Sequence, residues 1–199
     1  MTMQLQRNDL WSLEEYSVQR SAFRREVIAY KKSRLVCLNE HARLMFEDKK
    51  TIRYQVQEML RIEKIFEASG IQDELDAYNP LIPDGNNWKA TFMLAYDDES
   101  QRRLALQQLW GVEHQIWVQI DGHNKVYAIA DEDIERSNEE KTSSVHFLRF
   151  ELTQAMIDDC VEGGKIFAGC DHPELAIKAQ TLVESTAQSL RQDLIRYHA

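Results

Sequence analysis

One predicted helix carries a high density of long polar side chains. Arg53, Gln57 and Arg61 recur at four-residue spacing, which places them one turn apart on one helix face. Guanidinium groups aligned in this way can bind an anion through charge-assisted hydrogen bonds. Glu58 stands three residues before Arg61, so a solvated face of ion pairs explains the same pattern. Tyr54 and Glu58 complete this set of candidate ligand-binding residues.

A second group of polar residues lies in a predicted strand over 145–152. Alternation places His146 on one face of this strand and Arg149 with Glu151 on the other. Both faces also carry apolar residues, which indicates a central strand whose polar side chains are partly buried. Buried polar groups need hydrogen-bond partners. The strand therefore holds either a structural hydrogen-bonded pair or part of a pocket wall.

The clearest turn signal in the chain is the segment Asn79–Gly85. Its two prolines restrict the backbone, and Asp84-Gly85 favours a defined turn. Leu81 and Ile82 also require burial, so we expect an ordered loop. Ordered loops on a rigid scaffold often carry binding sites. The segment predicts a pocket wall in which Asn79 and Asp84 are candidate ligand-binding residues.

Composition excludes several functional classes. The chain has 199 residues, a net charge of −9 and a pI of about 5.2, and an acidic surface repels phosphate backbones. Nucleic acid is therefore not an expected partner. No apolar run approaches the ~20 residues that span a bilayer, and no secretory signal is visible, so no membrane association is expected. An acidic cluster at 131–140 predicts a solvated loop, with attraction of a cation or basic partner as the alternative.

Motifs of the common catalytic classes are absent from the sequence. There is no phosphate-binding loop, dinucleotide fingerprint, zinc-protease motif or nucleophile elbow. The three cysteines, Cys37, Cys160 and Cys170, include no C-x-x-C pair, which favours a reduced, cytoplasmic setting over a disulfide framework. Because cysteine ligand sets and di-iron spacing are also missing, we expect no bound iron, haem or other cofactor and no metal.

The predicted elements alternate irregularly between helices and hairpins. Ser12 and Glu15 form a capping-box pattern at the start of an N-terminal helix of about 12–33. A hairpin follows over 34–47. The remaining predicted helices cover 49–69, 72–78, 98–110, 153–161 and about 173–197. The remaining predicted strands cover 88–96, 115–120, 124–130, 145–152 and 165–170.

This order predicts an α+β fold. We expect a mainly antiparallel sheet of about six strands, flanked by five or six helices, rather than a doubly wound sheet. The length suits a single domain over 1–199. In that domain the N-terminal and C-terminal helices are expected to pack on the sheet.

Several sequence blocks together carry a family resemblance. They are Phe46–Asp48, Tyr54–Leu60, Asn79–Gly85, Tyr127–Asp133 and Thr142–Glu151. In this order they resemble a bacterial family of uncharacterised proteins, the domain-of-unknown-function 3501 family, over nearly the whole chain. The family supplies no activity and no catalytic residue. Its members look to be encoded near rubrerythrin-like and iron–sulfur oxidoreductase proteins. The resemblance thus implies a role beside oxidative-stress or electron-transfer iron proteins.

The sequence supports three hypotheses. The leading one is an accessory or binding protein, without its own redox cofactor, whose partner is a rubrerythrin-like or iron–sulfur protein. The runner-up is an enzyme or small-molecule sensor that binds a small anionic ligand. Its polar pocket would be formed by the Tyr54–Arg61 helix, the Asn79–Gly85 loop and the His146–Glu151 strand.

The runner-up makes a geometric demand: Arg53, Gln57 or Arg61 must meet a polar residue of the His146–Glu151 strand. The third hypothesis is a metal site with carboxylate and imidazole ligands. Its candidate ligands are Glu58, His146 and Glu151. The sequence sets neither the substrate nor the oligomeric state.

Overall fold

The computed structural model describes residues 4–130, 132 and 141–195. These residues form six α-helices: α1 Leu13–Lys31, α2 Lys49–Glu63, α3 Ala68–Tyr78, α4 Glu99–Gln108, α5 Gln154–Val161 and α6 Glu184–Arg191. They also form nine strands: β1 Leu35–Cys37, β2 Ala42–Phe46, β3 Asn87–Leu94, β4 Ile116–Ile120, β5 Val126–Tyr127, β6 Ile129–Ala130, β7 Val145–Glu151, β8 Ile166–Cys170 and β9 Ile177–Thr181. The predicted acidic cluster, apart from Glu132, lies outside the described residues.

The strands form two antiparallel sheets, with orders β1-β2-β3-β7-β6 and β5-β4-β8-β9. The predicted α+β class is confirmed. The predicted strand over 124–130 is divided at Ala128, so that β5 pairs in one sheet and β6 in the other. This division, together with β9, raises the strand count above the predicted value of about six.

The main core lies between the two sheets. Phe46, Trp88 and Phe150 of the five-stranded sheet share one buried cluster with Val118 and Ile166 of the four-stranded sheet. Because strand residues alternate in direction, the intervening residues of β3 and β7 point to the opposite, outer face. That outer face carries the charged residues described below.

The N-terminal helices form a separate apolar layer. The predicted capping box at Ser12 and Glu15 begins α1 as expected. Tyr16, Phe23 and Val27 of α1 form their own buried cluster, which Tyr54 of α2 joins. The N-terminal helix therefore packs mainly on α2, whereas the sequence predicted packing on the sheet. Among the described helices, none combines the length and apolar content that crossing a bilayer requires.

The predicted C-terminal helix over 173–197 is wrong in its first half. Ile177–Thr181 forms β9, and the helix occupies only Glu184–Arg191 of the described chain. β9 supplies antiparallel partners along the free edge of β8, and this pairing outweighs the helical spacing of the apolar residues. The predicted helix over 49–69 also divides, because Lys64 takes a left-handed conformation with φ of 56°.

Candidate functional site

Three charged residues form a row across the outer face of the five-stranded sheet. Lys89 of β3 lies directly opposite Arg149 of β7. On its other side, the backbone N–H of Glu47 donates to the Lys89 carbonyl at 2.8 Å, which extends the β2–β3 register by one residue. Directly opposed residues of antiparallel strands point to the same face. The three side chains line one pocket with a volume of about 250 Å³.

The remaining walls of this pocket are mainly apolar. A short 3₁₀ helix over Asn79–Leu81 contributes Pro80 and Leu81, and β7 contributes Phe147 and Leu148. Ala90 and Glu132 complete the lining. A small apolar space with a few convergent polar groups is the usual form of a small-molecule site.

Glu47 is a buried carboxylate held by neutral donors. Its side chain is 3% exposed. The Thr91 hydroxyl donates to Oε1 at 2.7 Å, and the Thr51 hydroxyl and Gln55 amide donate to Oε2 at 2.6 and 3.1 Å. These bonds satisfy a group that would otherwise be costly to bury. Because both Glu47 oxygens already accept hydrogen bonds, Glu47 does not depend on Lys89 as a partner.

Arg149 is neutralised by carboxylates of its own. Its Nε and Nη2 atoms donate to the two Glu132 oxygens, each at 2.7 Å, and Nη1 donates to Glu151. The hydrogen bonds with Glu132, and then those with Glu151, hold the pKa of Arg149 above its ordinary value, although burial opposes this. The same Arg149 bonds lower the pKa of Glu132. The guanidinium is therefore committed to protein partners.

Lys89 lacks a carboxylate partner of this kind. Its Nζ donates to the Pro80 carbonyl at 2.5 Å, and no ion pair within 4.0 Å involves it in the part of the chain that the structure describes. Burial lowers the pKa of Lys89. An ammonium has three donors, and one backbone acceptor uses one of them. The other two are available to a ligand or to water.

The predicted composite pocket forms only in part. The loop contributes Pro80 and Leu81, and the strand contributes Arg149, as the sequence indicated. No residue of the Tyr54–Arg61 helix lines it. The third wall is instead Glu47 and Lys89, which sequence reasoning missed.

The polar residues of α2 hold α1 in place instead. The Arg53 guanidinium lies 4.0 Å from the centroid of the Trp11 ring. Gln57 is buried, and its Oε1 accepts from the Trp11 backbone N–H at 2.7 Å. The Tyr54 ring packs edge-on against Phe23 at 5.9 Å between centroids.

Glu58 completes the same α1–α2 junction. Tyr16 donates to it at 2.6 Å, Arg20 donates through two nitrogens at 2.8 and 2.9 Å, and Arg61 donates at 3.3 Å. The hydrogen bonds from Arg20 lower the pKa of Glu58 to about 2, with smaller contributions from Tyr16 and Arg61 and against the effect of burial. The Glu58–Arg61 contact agrees with the ion-pair alternative for this helix face, and anion binding at Arg61 stays a prediction.

His146 points away from the pocket. It is fully buried on the core face of β7, where its Nε2 lies 2.9 Å from Thr142 Oγ1, 3.1 Å from the Ser143 carbonyl and 3.8 Å from Glu113 Oε2. Because Glu151 points to the opposite face, the predicted metal set of Glu58, His146 and Glu151 does not come together. Among the described residues, no three His, Cys, Asp or Glu side chains are grouped to hold a metal ion.

The two loop candidates support the pocket without lining it. Asn79 accepts from the Leu5 backbone N–H at 2.7 Å and donates to the Leu5 carbonyl at 3.0 Å. The Asp84 side chain is exposed, while its backbone N–H donates to Asn87 Oδ1 at 3.3 Å. Asn79 thus anchors the segment from which Pro80 reaches Lys89.

Comparison with known proteins gives a family and a fold. The chain matches, over residues 4–194, the family model described as a protein of unknown function, DUF3501. Among solved structures it is similar to a novel protein of unknown function from Burkholderia pseudomallei K96243, with 51% sequence identity and a TM-score of 0.93. The alignment covers 97% of this chain and 100% of that chain. No curated protein gives a match.

Proposed function

Because the chain belongs to the DUF3501 family, which is described as of unknown function, we propose a function from the pocket chemistry: the protein binds a small anionic ligand at Lys89. A short monocarboxylate is the simplest ligand of this kind. Its carboxylate pairs with the Lys89 ammonium, and its hydrocarbon part packs on Leu81 and Phe147. The observation that carries the proposal is the half-buried ammonium of Lys89, which pairs with no described carboxylate.

Among the three charged residues of the row, Lys89 is the one that an anionic ligand would bind. Glu47 and Arg149 already have several partners each. An incoming anion therefore gains most at Lys89, where it can form a charge-assisted hydrogen bond beside mainly apolar walls. Glu47 and Glu132 repel highly charged anions, so a single negative charge suits the site better than a di- or triphosphate.

A second groove offers less to an anion than the Lys89 pocket. The groove beside the start of α2 includes Lys49 and Lys50. Lys49 pairs with Asp9 at 3.1 Å, and Lys50 pairs with Glu26 at 2.5 Å. An anion would have to displace these carboxylates, which it does not have to do at Lys89.

Calorimetric titration with propionate tests the proposal. We expect binding to the intact protein and a loss of about tenfold or more in affinity for Lys89→Gln, which removes a charged hydrogen bond of about 1.5–3 kcal/mol. Lys125→Gln is the matched control, since Lys125 pairs with Asp171 at 2.8 Å and does not line the pocket. Equal affinities for the two variants would reject Lys89 as the binding group.

An accessory role beside iron proteins is a second candidate. A groove beside the α2–α3 turn includes Leu10, Leu60 and Ile65. Phe66 at its edge is 68% exposed, and nearby Ile62 is 61% exposed. Exposed apolar side chains grouped in this way are typical of protein-binding surfaces. Such a role fits a cytoplasmic protein, and the free thiols of all three cysteines fit a reduced compartment.

Binding to a purified rubrerythrin-like or iron–sulfur protein tests the second candidate. We expect Phe66→Ala to weaken the complex about tenfold or more, as loss of an aromatic anchor does. Val183→Ala is the control, because Val183 is equally exposed at 67% and does not line the groove. If the intact protein binds neither partner, the accessory role is excluded and the anion site is unaffected.

A further inference from the structure

We infer that Lys89 is a carbonyl-reactive amine, and that the pocket takes small carbonyl-bearing anions, 2-oxo acids above all, as imines on its Nζ atom. The inference rests on the proposed anion site and adds the chemical class of its ligand. It goes beyond charge pairing because the same nitrogen that binds the anion would form a covalent bond to it.

The position of Lys89 suits a nucleophile. β3 is paired on both sides, with β2 and with β7, so the Lys89 backbone is held rigidly. The Pro80 carbonyl accepts from Nζ at 2.5 Å and orients the end of the side chain. A neutral amine keeps this bond with one N–H, and its lone pair is then free to point into the pocket. Oriented groups of this kind react faster than freely moving ones.

The surroundings of Lys89 make its ammonium easier to deprotonate than that of an exposed lysine. Burial is the largest effect and lowers the pKa of Lys89; the charge of Asp84 opposes it, and the positive charge of Arg149, directly across β3 and β7, has a smaller lowering effect. The carboxylates of Asp84, Glu132 and Glu151 act in the opposite direction. Desolvation and a second cation are the two means by which reactive lysines are activated. Lys89 has the first of these, and apolar residues line the pocket beside it. The charge of Arg149, by contrast, is largely offset by Glu132 and Glu151.

The reaction balances without any further reagent. The ammonium first releases a proton to solvent. The amine nitrogen attacks the carbonyl carbon, the C=O electron pair moves to oxygen, and that oxygen takes up a proton. Loss of water then gives the protonated imine. The carboxylate of the ligand lies beside a cationic nitrogen before and after the reaction, because the iminium carries the same charge as the original ammonium.

Borohydride trapping with pyruvate tests the inference. Hydride reduces an imine to a stable secondary amine, so peptide mapping by mass spectrometry reports the labelled lysine. We expect one carboxyethyl group on Lys89 and far less on Lys125, which is exposed and paired with Asp171. We expect an excess of propionate to suppress the label, since it competes for the charge but has no carbonyl. Label spread evenly over exposed lysines, or no label at Lys89, would overturn the inference.

The variant Lys89→Arg separates this inference from the proposed function. Arginine keeps the positive charge but cannot form the imine under these conditions, so we expect it to bind propionate and to lose the trapped adduct. Propionate binding without trapping in the intact protein would refute the imine alone. Absence of both would refute the anion site as well. Peptide mapping of the intact protein decides the matter even if the variant folds poorly.

Discussion

The charged residues of the pocket are distinguished by their neighbours and not by their type. Glu47 is surrounded by three neutral donors, and Arg149 by two carboxylates. Lys89, between them, has a backbone carbonyl. A carboxylate beside an ammonium in such a row would ordinarily pair with it. Here the outer two members have other partners, which leaves the central cation available for a ligand.

The substitution Glu47→Gln tests how the outer carboxylate is held. A carboxamide has one acceptor oxygen in place of two and presents an N–H₂ to groups that donate, so at least one of Thr51, Thr91 and Gln55 loses its acceptor. We expect a loss of about 1–3 kcal/mol in the free energy of unfolding, measured with urea. The exposed Glu40, with 83% of its side chain accessible, supplies the control Glu40→Gln. Equal stabilities of the two variants would contradict the arrangement.

Residue patterns alone could identify only part of the site. Alternation in 145–152 correctly put Arg149 and Glu151 on one face, and they form a bonded pair there. Lys89 carries no such signal. With Thr91 it forms a polar face of β3, the pattern of a solvated strand. At Lys89 that face is covered by the Asn79–Leu81 turn, and such coverage depends on tertiary packing.

At the scale of elements, Glu58 is a carboxylate that joins α1 and α2. It accepts from Tyr16 and Arg20 of α1 and from Arg61 of α2. The ordinary pKa of Glu58, 4.5, is lowered to about 2 by its Arg20 bonds. A lowered carboxylate pKa adds stability above about pH 4.5, and this stability is lost as pH falls toward 2. We expect it to be on the order of 2 kcal/mol, because partial exposure of Arg20 screens the pair.

Urea unfolding of the intact protein and of Glu58→Gln, repeated between pH 5 and 2, measures this contribution. We expect the intact protein to be more stable at pH 5 and the difference to shrink steadily on acidification. A difference that stays constant with pH would show that Glu58 acts by shape and not by charge.

The Asn79–Leu81 turn depends on its anchor to Leu5. Asn79→Ala removes both side-chain bonds to that backbone, so we expect a more mobile turn and a less well placed Pro80 carbonyl. Hydrogen exchange at the Ile82 amide, which donates to the Asn79 carbonyl at 3.0 Å, should become faster, and propionate should bind several-fold more weakly. Gln72→Ala, at an exposed position of α3, is the control. Unchanged affinity in Asn79→Ala would remove the turn from the binding site.

Elements with local signals were predicted better than elements defined by distant partners. The capping box at Ser12 and the hairpin over 34–47 form as expected because their determinants lie within a few residues. β9 is different. Its apolar residues suit a helix, and only the free edge of β8 makes Ile177–Thr181 a strand. A pattern within one segment contains no information about that edge.

At the scale of the molecule, the single domain over 1–199 is still a prediction. The sheets share one core, while α1, α2 and α3 contribute smaller clusters of their own. Arg34 links these parts: it is fully buried, donates to the Phe46 carbonyl of β2 and pairs at 3.5 Å with Asp48, the N-cap residue of α2. We therefore expect one cooperative transition in scanning calorimetry, with equal calorimetric and van't Hoff enthalpies. A separate early transition of the helical layer would contradict this.

A crystal structure of the protein soaked with propionate tests the central claim most directly. We expect density for the carboxylate at about 3 Å from Lys89 Nζ, the distance of a charge-assisted hydrogen bond. The ethyl group should lie against Leu81 and Phe147. An empty pocket at saturating propionate, or an anion seated at another cation while Lys89 keeps only the Pro80 carbonyl, would contradict the account.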